Sequence, residues 1–263
     1  MTFSTTWVIA LLGAALACGL LVPGAGGETV RQGALQVSFG GSVAPKQLPR
    51  AGSTPVSVAI RGNVRDLAGA PPPSLRRIAI EVNRIGVLDP QGLPVCAAAR
   101  LRASSTADAL AACGPAQVGE GRVGGLLVLP EQAPSRFDGR VVAFNGRLAD
   151  GRPAILAQLY ITRPAPIAFV LAFAVGHAHG AYGTRLVATV PAKTRRTAHI
   201  TSFSLRLHRV FSVGGARHSY LSAGCPAPEG FPSATFPLLR ASYGFVGEKT
   251  VSDTLVRTCR VGP

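Results

Sequence analysis

The sequence has few acidic residues. Its 263 residues include 12 Asp and Glu against 27 Lys and Arg, which gives a formal net charge of +15. Residues 151–228 contain no Asp or Glu at all. A positive balance of this size favours anionic partners through long-range attraction. Aromatic residues are also scarce, with one Trp in the chain, and this argues against nucleic acid because single strands are held largely by stacking on aromatic rings.

Charge is absent from residues 1–27. The apolar run at residues 7–22 is shorter than the roughly 20 residues of a membrane-spanning helix, and Pro23 and small residues follow it. This pattern predicts a signal peptide over residues 1–27 and a secreted or cell-envelope-associated protein. The run has no Lys or Arg before it, so an uncleaved N-terminal anchor is the alternative. Lipidation of Cys18 is disfavoured because the apolar run continues beyond it.

The remaining cysteines are even in number, which is typical of disulfides in an exported chain. They are Cys96, Cys113, Cys225 and Cys259. Three pairings are open, and the spacing favours Cys96 with Cys113 and Cys225 with Cys259. None of them forms the C-x-x-C pattern of zinc ribbons or thioredoxin-like redox sites.

Short catalytic patterns are absent too. The sequence has no G-x-S-x-G elbow, no phosphate-binding G-x-x-x-x-G-K-[ST] loop and no dinucleotide fingerprint placed between a strand and a helix. His177 and His179 form a His-x-His pair, but Gly176 and Gly180 flank it and predict a surface turn. We therefore predict no catalytic, cofactor-binding or metal-binding residues. A pair of carboxylates assembled only in the folded chain is the open alternative.

Alternating apolar residues indicate strands throughout the mature chain. In RRIAIEVNR, Ile78, Ile80 and Val82 occupy every second position, and the same period occurs in PVSVAIRG, PAILAQLYIT and SFSLRLHR. Residues 166–175 are apolar at both parities and predict a central strand covered on both faces. The sequence therefore predicts an all-β fold over residues 28–263, a single domain formed as a two-sheet antiparallel β-sandwich, jelly-roll or immunoglobulin-like, with one short helix.

Glycine, proline and polar residues mark the connections. Asn145-Gly146 and Asp150-Gly151 predict tight turns, and Gly247 is placed to close a hairpin onto the last strand. Ser105 and Thr106 precede ADALAAC and predict the one helix, which Gly114-Pro115 ends. The proline-rich residues 68–74 are typical of a stiff connection between two strands.

Basic residues are concentrated towards the C-terminus. From Arg140 onward there are 15 basic and 4 acidic residues, whereas residues 28–139 contain 12 basic and 8 acidic. Arginine suits bidentate contact with phosphate or carboxylate. The candidate anion-binding residues are therefore Arg195, Arg196, Arg206 and Arg209, and the expected partner is an anionic envelope polymer or membrane surface. Solvated strand faces are the alternative interpretation of the same arginines.

Several segments are distinctive as a set: GLPVC, STADALAACG, AFNGR, GRPAIL and YLSAGCPAPEGFP. With them the chain resembles a group of secreted proteins of unassigned function from high-GC actinobacteria. The resemblance covers most of the mature chain and implies export without implying a mechanism. We expect a non-enzymatic protein that binds or scaffolds at the envelope. The alternatives are an extracytoplasmic hydrolase with a spatially assembled acidic site and a carrier of a small ligand or lipid.

Overall fold

The structure is a computed structural model that describes residues 27–102, 105–247 and 249–262. The predicted signal segment, with Cys18, lies outside the described residues except for Gly27. The described chain forms 19 strands and two α-helices, α1 (Thr106–Cys113) and α2 (Ala192–Thr197). No helix in these ranges is long and apolar enough to span a membrane.

The strands are numbered in chain order. Those in the first half are β1 (Glu28–Gln32), β2 (Leu35–Ala44), β3 (Gln47–Pro49), β4 (Thr54–Pro55), β5 (Ser57–Asp66), β6 (Leu75–Asn83), β7 (Gly86–Leu88), β8 (Cys96–Ala97) and β9 (Gln117–Leu127). Those in the second half are β10 (Ser135–Arg147), β11 (Pro153–Arg163), β12 (Ile167–His177), β13 (Tyr182–Thr189), β14 (Ala198–Leu207), β15 (Val210–Val213), β16 (Ala216–Ser219), β17 (Leu221–Ala223), β18 (Ser233–Phe245) and β19 (Thr250–Gly262).

One sheet of fourteen strands dominates the molecule. Its order is β1-β2-β5-β14-β9-β10-β11-β12-β13-β6-β18-β19-β3, with β8 paired to β10, and all pairs are antiparallel except those of β3 and β8. The sheet curls on itself and brings rings from β2, β14 and β18 together on its inner side. The centroids of Phe39, Phe203 and Tyr243 are 6.0–6.4 Å apart. The all-β class is confirmed. The facing layers belong to one continuous sheet, and a jelly-roll or immunoglobulin-like arrangement stays a prediction.

The main core lies inside the curl and follows the predicted alternation. Val58 and Ile60 on β5, and Leu205 and Leu207 on β14, face inward, while Arg61, which follows Ile60, faces solvent. The proline-rich connection joins β5 to β6, which lie far apart in the sheet order. His199 fixes this connection, since its Nδ1 lies 2.6 Å from the carbonyl oxygen of Pro72.

A second, smaller core lies on the outer face of β10, β11 and β12. Helix α1 packs there over Val142, Phe144 and Leu156, which are fully buried. This explains why β12 is apolar at both parities, because Val170 and Ala172 contact this second core. The predicted helix is confirmed, with Ser105 as its N-cap and Asp108 completing a capping box. Helix α2 was not predicted, since its six residues carry no apolar period.

The Asn145-Gly146 turn prediction is wrong. Both residues lie inside β10, and the chain reverses later, at Asp150-Gly151, where Gly151 has a φ of +83°. Gly146 is needed for close packing, because a Cβ there would lie 2.5 Å from Leu156 Cδ1. Asn145 Nδ2 donates to the carbonyl oxygen of Pro94 at 3.0 Å. The Asn-Gly dipeptide alone predicts a turn, but packing of Gly146 against the second core keeps both residues in β10.

The structure contains the disulfides Cys96–Cys113 and Cys225–Cys259, the two pairings that the spacing favours. The first connects β8 to the end of α1 and belongs to the second core. The second connects the segment after β17 to β19 and belongs to the main core. Two bridges in one chain indicate an oxidising, extracytoplasmic environment.

Candidate anion-binding face

Five outward-facing residues on five neighbouring strands lie in one cross-strand row. Register places Arg61 on β5 opposite Ser204 on β14, Ser204 opposite Arg122 on β9, Arg122 opposite Arg140 on β10, and Arg140 opposite Tyr160 on β11. Neighbouring strands are about 4.8 Å apart, so the row spans roughly 19 Å across the sheet. It supplies three guanidinium groups, a hydroxyl and a phenol in line.

The row is the centre of a larger basic surface, which we call the arginine face. Its cationic members are Arg61, Arg65, Arg122, Arg136, Arg140, Arg163 and Arg206, all of them exposed. Its acidic members are Glu120 and Asp138, which are also exposed, and Asp66, which is half-buried beside Arg65. The inward partners of these residues on the same strands belong to the main core, so strand alternation alone turns the arginines outward.

Arg122 and Arg140 are directly opposite each other, an arrangement that destabilises a sheet when both residues carry the same charge. Arg140 is partly compensated, because its Nη2 lies 2.9 Å from Glu120 Oε2. That ion pair is about half exposed and therefore contributes no more than about 1 kcal/mol. Arg122, Arg136 and Arg206 make no hydrogen bond or ion pair with other described residues, so their guanidinium groups are available to a ligand.

Two open grooves run along this face. One, of about 870 Å³, lies over β9, β10 and β11, and Thr106 at the start of α1 contributes to its lining. The other, of about 690 Å³, continues over β5 and β14 towards Ser38 on β2. The grooves share Arg136 and Asp138, so together they form one extended channel. An extended channel of this kind fits a chain better than a compact molecule.

A glycine keeps the floor of the channel low. A Cβ on Gly124 would lie 2.7 Å from Ser202 Oγ and 3.3 Å from Asp138 Oδ1. Any side chain at this position would therefore press on the polar groups beside it. The absence of a side chain here leaves the hydroxyl of Ser202 and the carboxylate of Asp138 at the surface of the channel.

The four arginines selected from the sequence do not form one cluster. Arg206 lies in the arginine face, next to Glu120 in register. Arg195 and Arg196 lie on α2, which precedes β14, whereas Arg209 follows β14 and donates weakly to the carbonyl oxygen of Pro115 at 3.5 Å. The length of β14 from Ala198 to Arg206 alone separates the two pairs by about 26 Å.

Most of the arginine face was not predicted from the sequence. Arg122, Arg136 and Arg163 were not selected, and Arg61 and Arg65 were assigned to the less basic half of the chain. All of these except Arg163 have a local signal, because they alternate with buried or half-buried residues on their strands. Their convergence depends on β5 and β9 flanking β14, a pairing between distant segments that alternation does not encode.

A second charged cluster lies elsewhere on the outer surface and is balanced within itself. Glu81 on β6 lies between Arg185 on β13 and Arg240 on β18, with Arg185 Nε 3.7 Å from Glu81 Oε1 and Arg240 Nε 2.7 Å from Glu81 Oε2. The hydrogen bond to Glu81 raises the pKa of Arg240. Arg240 also lies over the ring of Tyr182, 4.9 Å from its centroid. These arginines are occupied by protein partners.

The histidine pair lies at the turn of the β12–β13 hairpin. His177 is the last residue of β12, and His179 lies in the connection to β13, where its carbonyl oxygen accepts from Tyr182 N at 3.4 Å. Gly180 supplies the positive φ of this turn, at +69°, and Gly176 lies within β12. Among the described residues, no group of three or more His, Cys, Asp or Glu side chains is arranged to hold a metal ion.

Two carboxylates of the arginine face, those of Glu120 and Asp138, lie on neighbouring strands. Glu120 is opposite Val142, and Asp138 is opposite Gly124, four residues further along each strand. Strand geometry therefore puts the two acidic residues about 14 Å apart at Cα. In glycoside hydrolases the distance between the two carboxyl groups themselves is about 5–9.5 Å.

Comparison with protein-family models, characterised proteins and solved structures finds no match to this chain.

Proposed function

We propose that this is an exported, non-enzymatic protein of the cell envelope whose arginine face binds a linear anionic polymer. The row from Arg61 through Arg122 and Arg140 to Tyr160 carries the proposal. Its guanidinium groups lie along a line across the strands, and Arg122 and Arg140 also line the channel, which has five arginines and three carboxylates in its walls. Arginine binds phosphate and carboxylate groups in a bidentate manner and keeps its charge at any physiological pH.

The direction of the row supports a chain-like ligand. Arg122 and Arg140 are one strand spacing apart, about 4.8 Å, and Arg61 is about 9.6 Å from Arg122 at the level of the backbone. An anionic chain lying across the strands meets these groups in succession. A flat membrane surface would instead require the charges to project from a protruding surface, whereas here several line a channel.

The test compares two triple variants of equal charge on heparin and on long-chain polyphosphate. The first, Arg122→Gln, Arg136→Gln and Arg206→Gln, removes three unpaired guanidinium groups of the face. The second is Arg84→Gln, Arg217→Gln and Arg260→Gln, three exposed residues outside the face. We expect the first variant to elute at lower salt and to lose roughly two to three from the slope of log affinity against log salt.

Equal shifts in the two variants would show that retention reflects net charge alone and would overturn the proposal. Polymer length measured before and after incubation tests the hydrolase alternative in the same samples. An unchanged length agrees with a binding protein. Shortening by the wild type would establish that the channel cleaves what it binds.

A further inference from the structure

A second row of outward-facing positions runs beside the row of Arg61, Arg122 and Arg140, which we call the arginine row. Register places Ser38 on β2 opposite Asn63 on β5, Asn63 opposite Ser202 on β14, Ser202 opposite Gly124 on β9, and Gly124 opposite Asp138 on β10. The two rows are two residues apart along the strands, which corresponds to about 6.8 Å. From β2 to β10 the second row has no cation. It offers two hydroxyl groups, an amide and, at its end, a carboxylate.

The carboxylate of Asp138 is exposed in the channel and lines both of its grooves. Among the described residues it has no hydrogen-bond or ion-pair partner, although Arg163 is opposite it in register. Ser202 Oγ and Asp138 Oδ1 lie close to Gly124, since a Cβ there would be 2.7 Å from the first oxygen and 3.3 Å from the second. A ligand that fills the channel therefore passes an unpaired carboxylate with a hydroxyl group near it.

The chemistry of the second row selects a ligand that can donate hydrogen bonds. An ionised carboxylate accepts hydrogen bonds and cannot donate them. A polymer whose polar groups are all anionic has no hydrogen to offer Asp138 and is repelled by it. A hydroxyl group on the ligand donates to it, in a hydrogen bond roughly twice as strong as a neutral one. Ser202 and Asn63 also suit hydroxyl groups, because their side chains both donate and accept.

We propose that the anionic polymer is an acidic polysaccharide, which places its anionic groups on the arginine row and its sugar hydroxyl groups on the second row. This inference rests on the proposed function of the arginine face and specifies the class of its ligand. A sugar ring can carry an anionic group on one edge and hydroxyl groups on the opposite edge, so it bridges two parallel rows of different chemistry. A polymer without hydroxyl groups uses the arginine row alone.

The test measures the affinity of the full disulfide-bonded protein for polygalacturonate and polyacrylate of matched length at one low salt concentration. Both are linear polycarboxylates, and only polygalacturonate has hydroxyl groups. Asp138→Ala should weaken polygalacturonate binding about two- to tenfold, because a hydrogen bond to a charged group outweighs the exposed repulsion that is removed. The same variant should tighten polyacrylate binding, because only repulsion is lost. Glu120→Ala, the matched control in the same channel, also frees Arg140 from its ion pair and should tighten binding of both polymers.

A second variant tests the row without changing its charge. Asn63→Ala with Ser202→Ala should weaken polygalacturonate binding about two- to tenfold for each hydrogen bond lost and change polyacrylate binding by less than about twofold. This double variant decides alone if Asp138→Ala fails to fold. Tighter binding of both polymers by Asp138→Ala, or equal losses for both in the double variant, would overturn the inference and leave the proposed anion binding intact. If the wild type binds neither polymer, the proposed function fails together with this inference.

Discussion

Single residues in this protein are constrained by backbone conformation as much as by contact. The β12–β13 hairpin shows this, because its two glycines differ although both flank the histidine pair. Gly180 has a φ of +69°, whereas Gly176 has no positive φ and lies on a strand. An added Cβ would meet nothing within 4 Å at either position. Backbone strain alone therefore separates the two sites.

We predict opposite effects of alanine at these glycines. Gly180→Ala should lower the free energy of unfolding by about 1–2 kcal/mol, since a left-handed conformation is unfavourable for a residue with a Cβ. Gly176→Ala should be neutral or stabilise by up to about 1 kcal/mol, because alanine loses less entropy than glycine in a strand. Urea unfolding of both variants measures the difference. Equal destabilisation would mean that the turn uses both glycines, as the sequence alone suggested.

Elements were predictable where their signal is local. The period of Phe203, Leu205 and Leu207 assigns β14 its inward face from ten residues of sequence, and the capped helix α1 has its start and stop signals within one segment. Which strands pair with each other was not predictable in this way. Arg61 and Arg122 flank Ser204 from strands more than fifty residues apart, and nothing in either strand specifies that neighbour. The fold class was therefore accessible from the sequence, and the arginine face was not.

The two disulfides stabilise different elements, so their removal should have different effects. Their sequence separations of 17 and 34 residues correspond to about 3 and 4 kcal/mol in the chain-entropy account. Cys96 and Cys113 fix α1 against the outer core. Cys225 and Cys259 fix β19, whose neighbours are β18 and the short β3.

We predict that replacing Cys225 and Cys259 by Ser lowers soluble yield from an oxidising compartment more than replacing Cys96 and Cys113. Loss of the second bridge frees a strand at the end of the large sheet, and an exposed strand edge promotes aggregation. Loss of the first should mainly accelerate hydrogen exchange in α1. Equal yields, together with unchanged exchange in α1, would contradict this division of roles.

The whole molecule depends on how the two ends of the large sheet meet. Between β19 and the β1–β2 hairpin, the described residues form no strand pairing, and side chains bridge the gap. Arg257 Nε donates to the carbonyl oxygen of Gly41 at 2.8 Å, and its Nη1 lies 3.2 Å from Glu28 Oε1. Asp253 faces the same junction, where burial and the nearby Glu28 raise the pKa of its carboxyl group.

Arg257 is therefore predicted to stabilise the curl as a whole. Its ion pair with Glu28 is about three-quarters buried. Exposed ion pairs contribute less than about 1 kcal/mol, and breaking a buried pair costs about 3–5 kcal/mol, so we expect an intermediate energy here. Arg257→Ala should lower the free energy of unfolding by about 2 kcal/mol, because it leaves Glu28 half-buried without a cation. Arg260→Ala, three residues along the same strand and exposed, should change it by less than about 0.5 kcal/mol.

Hydrogen exchange separates a closure role from a local one. If Arg257 holds the two ends together, exchange in Arg257→Ala should accelerate on β1 and β2, the strands that Arg257 reaches, as well as on β19. Acceleration confined to β19 would mean that the side chain stabilises only its own strand. In that case the curl would be maintained by the inward rings of Phe39 and Tyr243, which meet across the same junction at 6.0 Å.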